Sequence, residues 1–181
     1  MLTMAPIEAA MKAKQEAAIM QVLPEVEGLQ VAEAEKVEGV TLYKAYVGEE
    51  WIGTAVEAST EGNTNMPFGG TFRLMVGFDK VGNVVNYVVL EQAETPGLGA
   101  LMTTWFKNAD KPGQNILGKN PATTEFGVSK DGGDVDAITA STITSRAFLE
   151  VVVKAYNAIA HQDVEAVSSA TQLTTEEGGL Q

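Results

Sequence analysis

The segment Asp136-Ala137-Ile138-Thr139-Ala140-Ser141-Thr142-Ile143-Thr144-Ser145-Arg146-Ala147-Phe148 constrains this chain most, because a Gly/Asp-rich loop there runs straight into a long apolar helix. At helical spacing Ala147, Phe148, Val151, Val152, Ala155 and Ile159 form one broad apolar face. A helix from about Thr139 to Ala160 is therefore predicted, and it needs another layer to pack on. Arg146, Glu150, Lys154, Asn157 and His161 form its narrow polar stripe. Thr139, Ser141, Thr142, Thr144 and Ser145 put five hydroxyls within seven positions at its start. A helix start carries unpaired N–H groups and the positive end of the helix dipole, so hydroxyls there either cap the helix or serve a bound anion.

The layer to pack on is legible upstream. Val40–Val47 and Trp51–Val56 are β-rich runs around Gly48-Glu49-Glu50. Phe72–Phe78 and Val84–Leu90 flank Asp79-Lys80-Val81-Gly82-Asn83, whose Gly and Asn suit a hairpin turn. An antiparallel sheet of about four strands or more follows. Before it, Pro6–Leu23 reads as an amphipathic helix on Ile7, Met11, Ala18, Ile19 and Val22, ended by Pro24. A short helix, Ala100–Asn108, follows the fourth strand, and Thr171–Gln181 reads as a polar tail.

Charge and composition remove several classes of function. With a net charge of −12, the chain lacks the clustered Lys and Arg that nucleic acid or anionic lipid requires. No cysteine is present, which excludes disulfides, iron–sulfur ligation and thiol catalysis. The single histidine, His161, argues against a His/Cys metal site, and its place on the solvated stripe near the helix end argues against a catalytic role. No apolar run reaches the ~18 residues of a membrane span, so the chain as it stands is expected to be soluble. Lys107, Lys111, Lys119 and Lys130 populate the loops before the last helix, as solvated charge or with one or two near a bound phosphate.

Three segments stand in a telling order. Asp136-Ala137-Ile138-Thr139-Ala140-Ser141-Thr142 resembles the flavinylation motif of the FMN-binding domain family, usually Asp-x-x-(Ser/Thr)-Gly-Ala-(Ser/Thr), whose last hydroxyl carries FMN through a phosphoester. Ala140 stands where the family usually has Gly, and Ser141 where it usually has Ala; both remain small. Glu94-Thr95-Pro96-Gly97-Leu98-Gly99 is otherwise a turn feeding a helix, and it matches the second hallmark of that family. Pro67-Phe68-Gly69-Gly70 is otherwise a turn or bulge, and it resembles the aromatic-Gly-Gly segment of the G subunit of Rnf electron-transport complexes. The likeness covers Gly39–Ala160 and extends to the C subunit of the sodium-translocating NADH:quinone reductase.

The resemblance implies an α+β fold: an antiparallel sheet flanked by helices, with long N- and C-terminal helices. It divides the chain into a lead-in (1–35), an FMN-binding domain (36–162) and a polar tail (163–181). The implied flavin site takes Asp136, Thr139, Ala140, Ser141, Thr142 and Ile143 from the first segment. Glu94, Thr95, Gly97, Leu98 and Gly99 come from the second, and Phe68, Gly69 and Gly70 from the third, with FMN on Thr142. Arg146, one turn beyond Thr142, either reaches that phosphate or pairs with Glu150. A covalent diester would also lower the phosphate charge to about one, which suits so acidic a chain.

The implied function is electron carriage in a membrane-bound, ion-translocating complex, without stand-alone turnover. The implied partners are the other membrane subunits of an Rnf-like complex and a flavin transferase. The relatives' domain lies outside the cytoplasmic membrane on an N-terminal helix, which this sequence does not contain. A domain that binds FMN or another phosphorylated ligand reversibly, or a scaffold subunit without flavin, is the competing reading.

Overall fold

A computed structural model describes residues 6–67 and 69–178, with side-chain surroundings for 7–67 and 69–160. Helix α1 (Pro6–Val22) precedes two three-residue strands, β1 (Leu29–Val31) and β2 (Glu35–Val37). Strands β3 (Val40–Val47), β4 (Glu50–Ser59), β5 (Arg73–Asp79) and β6 (Val84–Glu91) follow as an antiparallel meander. The sheet order is β1-β3-β4-β5-β6, with β2 also pairing along β3. After β6 come a 3₁₀ turn (Gly99–Leu101), the short α2 (Met102–Trp105), a long connection that contains a second 3₁₀ turn (Ser129–Asp131), and α3 (Thr142–Gly178).

The α+β architecture and both expected hairpins are present, while β1 and β2 were not foreseen. The β5–β6 loop is built on Asp79, whose Oδ1 accepts from the N–H of Val81 (3.0 Å) and of Asn83 (2.9 Å). Of the polar run Thr171–Gln181, expected as a tail, the residues up to Gly178 lie in the last part of α3, where side chains are outside the described residues, as are residues 179–181 altogether.

Side chains alternate across each strand, so the sheet serves two cores. On one face Leu42, Val56, Leu74, Val76 and Phe78 pack with Phe148, Val151, Val152 and Ala155 of α3. Phe106, Ile116, Phe126, Val128, Val135 and Ile138 from the long connection complete that core. On the other face Ala45, Ala55 and Met75 meet Ala18, Ile19, Val22 and Leu23 at the end of α1. Gly77 permits this second contact, since a Cβ there would run into the Val22 carbonyl. Only the C-terminal half of the expected α1 stripe is buried: Ile7 and Met11 are 74% and 52% exposed.

Tyr87 fixes the segment after β6. Its buried hydroxyl donates to the Met102 carbonyl (2.5 Å) and accepts from the Phe106 N–H (3.2 Å), pinning α2 to the sheet. Burial pushes this phenol far above the ordinary tyrosine range. Among the described residues, no helix is long and apolar enough to cross a membrane.

Candidate functional site

The entry into α3 is a turn before it is a helix. Ser141 N–H donates to the Ile138 carbonyl (3.0 Å), closing a four-residue turn whose third residue, Ala140, sits at φ = 60°. A turn with positive φ only at its third residue is the type II pattern, which favours glycine. This explains why α3 begins at Thr142 and not Thr139, and what the Ala-for-Gly departure costs: an L-residue held in a left-handed conformation. Ser145, fully buried, holds the turn by accepting from Ile138 N–H and donating to the Ser141 carbonyl, both at 2.9 Å.

Asp136 supports the same loop from behind. Its N–H donates to the Gly113 carbonyl (2.7 Å), its carbonyl accepts from the Trp105 indole (2.9 Å), and its Oδ1 accepts from the Ser129 hydroxyl (3.0 Å). The Trp105 bond ties α2 directly to the loop that precedes α3.

Two of the segments singled out in the sequence, and the start of α3 just beyond the third, meet at Glu94. This residue is 7% exposed, its Oε1 accepts from the Thr144 hydroxyl at 2.5 Å, and its Oε2 accepts from the Gly69 N–H. One carboxylate thus joins the aromatic-Gly-Gly segment, the Pro-Gly-Leu-Gly turn and the start of α3. Gly99 lets the turn come this close, since a Cβ there would lie 2.9 Å from Glu94 Cβ and 3.1 Å from Thr144 Oγ1.

Between the turn and the helix start lies a cleft of about 330 Å³ lined by Glu94, Thr95, Leu98, Gly99, Ala140, Ser141, Thr142, Ile143 and Thr144. Eight of these are predicted site residues; Thr144 is the ninth, visible in sequence only as one more hydroxyl of the run. Leu98 and Ile143, 38% and 36% exposed, offer apolar surface at the cleft, and Thr142 is partly exposed in it. Glu94 is the one charged residue among those lining it. Thr139 and Gly97 are exposed beside the cleft, and Gly70 lies beyond Gly69 at the Glu94 contact. Phe68 lies outside the described residues, as do the surroundings of His161.

Arg146 goes elsewhere. Its Nε and Nη2 grip Asp131 at 2.7 and 2.8 Å, and it lines a separate cleft with Phe126 and Leu149. That hydrogen-bonded pair holds the Asp131 carboxyl below its ordinary range. Neither the reach toward Thr142 nor the pair with Glu150 is formed: Glu150 instead accepts from Thr64 N–H (2.7 Å) and from the Asn65 backbone and side-chain N–H groups (3.2 Å each). Two of the loop lysines also serve the backbone: Lys107 bonds the Tyr87 carbonyl (2.8 Å) and Lys119 the Pro112 carbonyl (2.9 Å). Burial holds Lys107 below the usual lysine range.

Comparison with known proteins adds an independent line. The pattern of the FMN-binding domain family matches residues 68–157, a span that contains all three segments but for Pro67. The chain is also similar to proteins named as the G subunit of an ion-translocating oxidoreductase complex. It is 34% identical over 115 residues to the one from Yersinia pestis, covering 61% of this chain and 51% of that protein. It is 38% identical over 104 residues to the one from Salmonella typhimurium, covering 55% and 48%. With the one from Methanosarcina acetivorans it shares 28% over 171 residues, covering 90% and 86%. The chain spans about half the length of the Yersinia and Salmonella proteins.

Proposed function

Because this chain belongs to the FMN-binding domain family, we propose that it is the FMN-carrying electron-transfer subunit of an ion-translocating oxidoreductase complex, with FMN held through a phosphoester on Thr142. The observation that carries this reading is the convergence on one cleft of Thr142 with the Pro-Gly-Leu-Gly turn, 43 to 46 positions upstream. When bound, FMN supplies reversible electron uptake, and the chain supplies position and electrostatics.

Several lining groups suit that cofactor. Thr142 opens α3, so an ester on its Oγ puts the phosphate beside N–H groups of the first helical turn and the positive end of the dipole. Leu98 and Ile143 provide apolar cover for a flat ring, and Gly99 keeps the wall thin. Arg146 is paired with Asp131 and lines a different cleft. The partners in this reading are the other membrane subunits of the complex and a flavin transferase that makes the ester. The domain works at the outer face of the cytoplasmic membrane.

Co-expression with a flavin transferase tests the attachment. The expected result is a flavin mass on the intact chain and fluorescence that survives a denaturing gel, both lost in Thr142→Ala and retained in Ser141→Ala. Fluorescence persisting in Thr142→Ala removes Thr142 from the role. Flavin that washes out on dialysis favours reversible binding.

A further inference from the structure

Resting on the flavin reading above, we propose that Glu94 tunes the cofactor by charge, holding the reduction potential of a group in the cleft below the value that the same cleft without this carboxylate would give. Both Glu94 oxygens accept hydrogen bonds, one from a hydroxyl and one from a backbone N–H, which is the bonding pattern of an ionised carboxylate. Both donors are neutral. None of the four ion pairs formed by the described residues includes Glu94, so its charge is stabilised in place without being cancelled.

The position matters as much as the charge. At 7% exposure the carboxylate is shielded from mobile salt, and it lines the cleft that Thr142 also lines. Two electrons and one proton entering a flavin ring near neutral pH leave one added negative charge there; the electrons come from the redox donor of the complex or from an electrode. A fixed like charge in the same low-dielectric wall opposes that step and leaves the neutral oxidised form favoured. The positive end of α3 acts in the opposite direction, so the two together set the field in the cleft.

Spectroelectrochemistry on the flavin-loaded full chain tests this, with intact mass recorded for every sample. Glu94→Gln is expected to favour the reduced form by about tenfold, a rise of about 30 mV for a two-electron couple. Thr144→Val, which removes a hydrogen bond but keeps the carboxylate, is expected to leave the potential well short of that rise. A potential unchanged in Glu94→Gln, or an equal rise in Thr144→Val, overturns the tuning role while the mass shift leaves the flavin reading standing. Should Glu94→Gln not fold, Thr95→Lys puts a positive charge on the exposed rim and is expected to raise the potential; no rise there overturns the proposal as well. A wild-type chain that neither gains the flavin mass on co-expression with the transferase nor binds added FMN overturns both readings.

Discussion

Ser145 Oγ accepts the backbone N–H of Ile138 at 2.9 Å, seven residues upstream and fully buried, so a side chain of the first helical turn closes the loop that leads into it. Removing that oxygen strands a buried donor, which costs more than the bond itself contributes. Ser145→Ala is expected to lower stability by about 1–3 kcal/mol in urea denaturation. A loss under a few tenths of a kcal/mol would mean that the turn is held by the Ser141 to Ile138 bond alone.

Ala140 makes the opposite prediction. At φ = 60° its methyl group is a liability that glycine lacks, though glycine gives back part of the gain through a freer unfolded chain. Ala140→Gly is therefore expected to stabilise the protein by about 0.5–1 kcal/mol, a rise of roughly 1–4 °C in the thermal midpoint. A fall in the midpoint would contradict the strain assigned to this turn.

These two residues mark how far the sequence could be read. The hairpins were legible because strand alternation and the Gly, Asn and Asp of the turns act locally. β1 and β2 were not: three residues each are too few to show a period, and pairing with β3 defines them. The order of the three segments was visible, but the role of Glu94 depends on partners 25 and 50 positions away. The aim of Arg146 is hidden for the same reason, since helical spacing says what lies one turn along and nothing of Asp131 arriving from a 3₁₀ turn in the long connection. Phe126, Val128, Val135 and Ile138 enter the core from an irregular connection, where no periodicity marks them.

Gly77 tests the junction between α1 and the sheet. Any Cβ there meets the backbone of Val22, which cannot swing aside like a side-chain tip. Gly77→Ala is expected to cost about 1–3 kcal/mol as overpacking, with α1 cut faster in limited proteolysis while β3–β6 stay protected. Unchanged cleavage in α1 would show that the helix does not bear on this strand in solution.

Glu150 predicts a pH dependence. Burial pulls its pKa up, but the N–H groups of Thr64 and Asn65 pull harder, leaving it below the ordinary glutamate range. A carboxyl held lower in the folded chain than in the unfolded one adds stability that is fully present above the unfolded value, about 4.3, and is lost as pH falls through the folded value. Glu150→Gln is expected to be about 1 kcal/mol less stable than wild type at pH 7, since it forfeits charge-assisted bonds. That gap should close as pH falls from about 5 to 3, read by denaturation at constant ionic strength. Lys154, one turn on, holds the carbonyls of Ser59 (2.7 Å) and Glu61 (3.0 Å) in the same loop, so the loop keeps a second tether when Glu150 is neutral. A gap that stays constant across this range would mean that Glu150 acts on the loop by shape and not by charge.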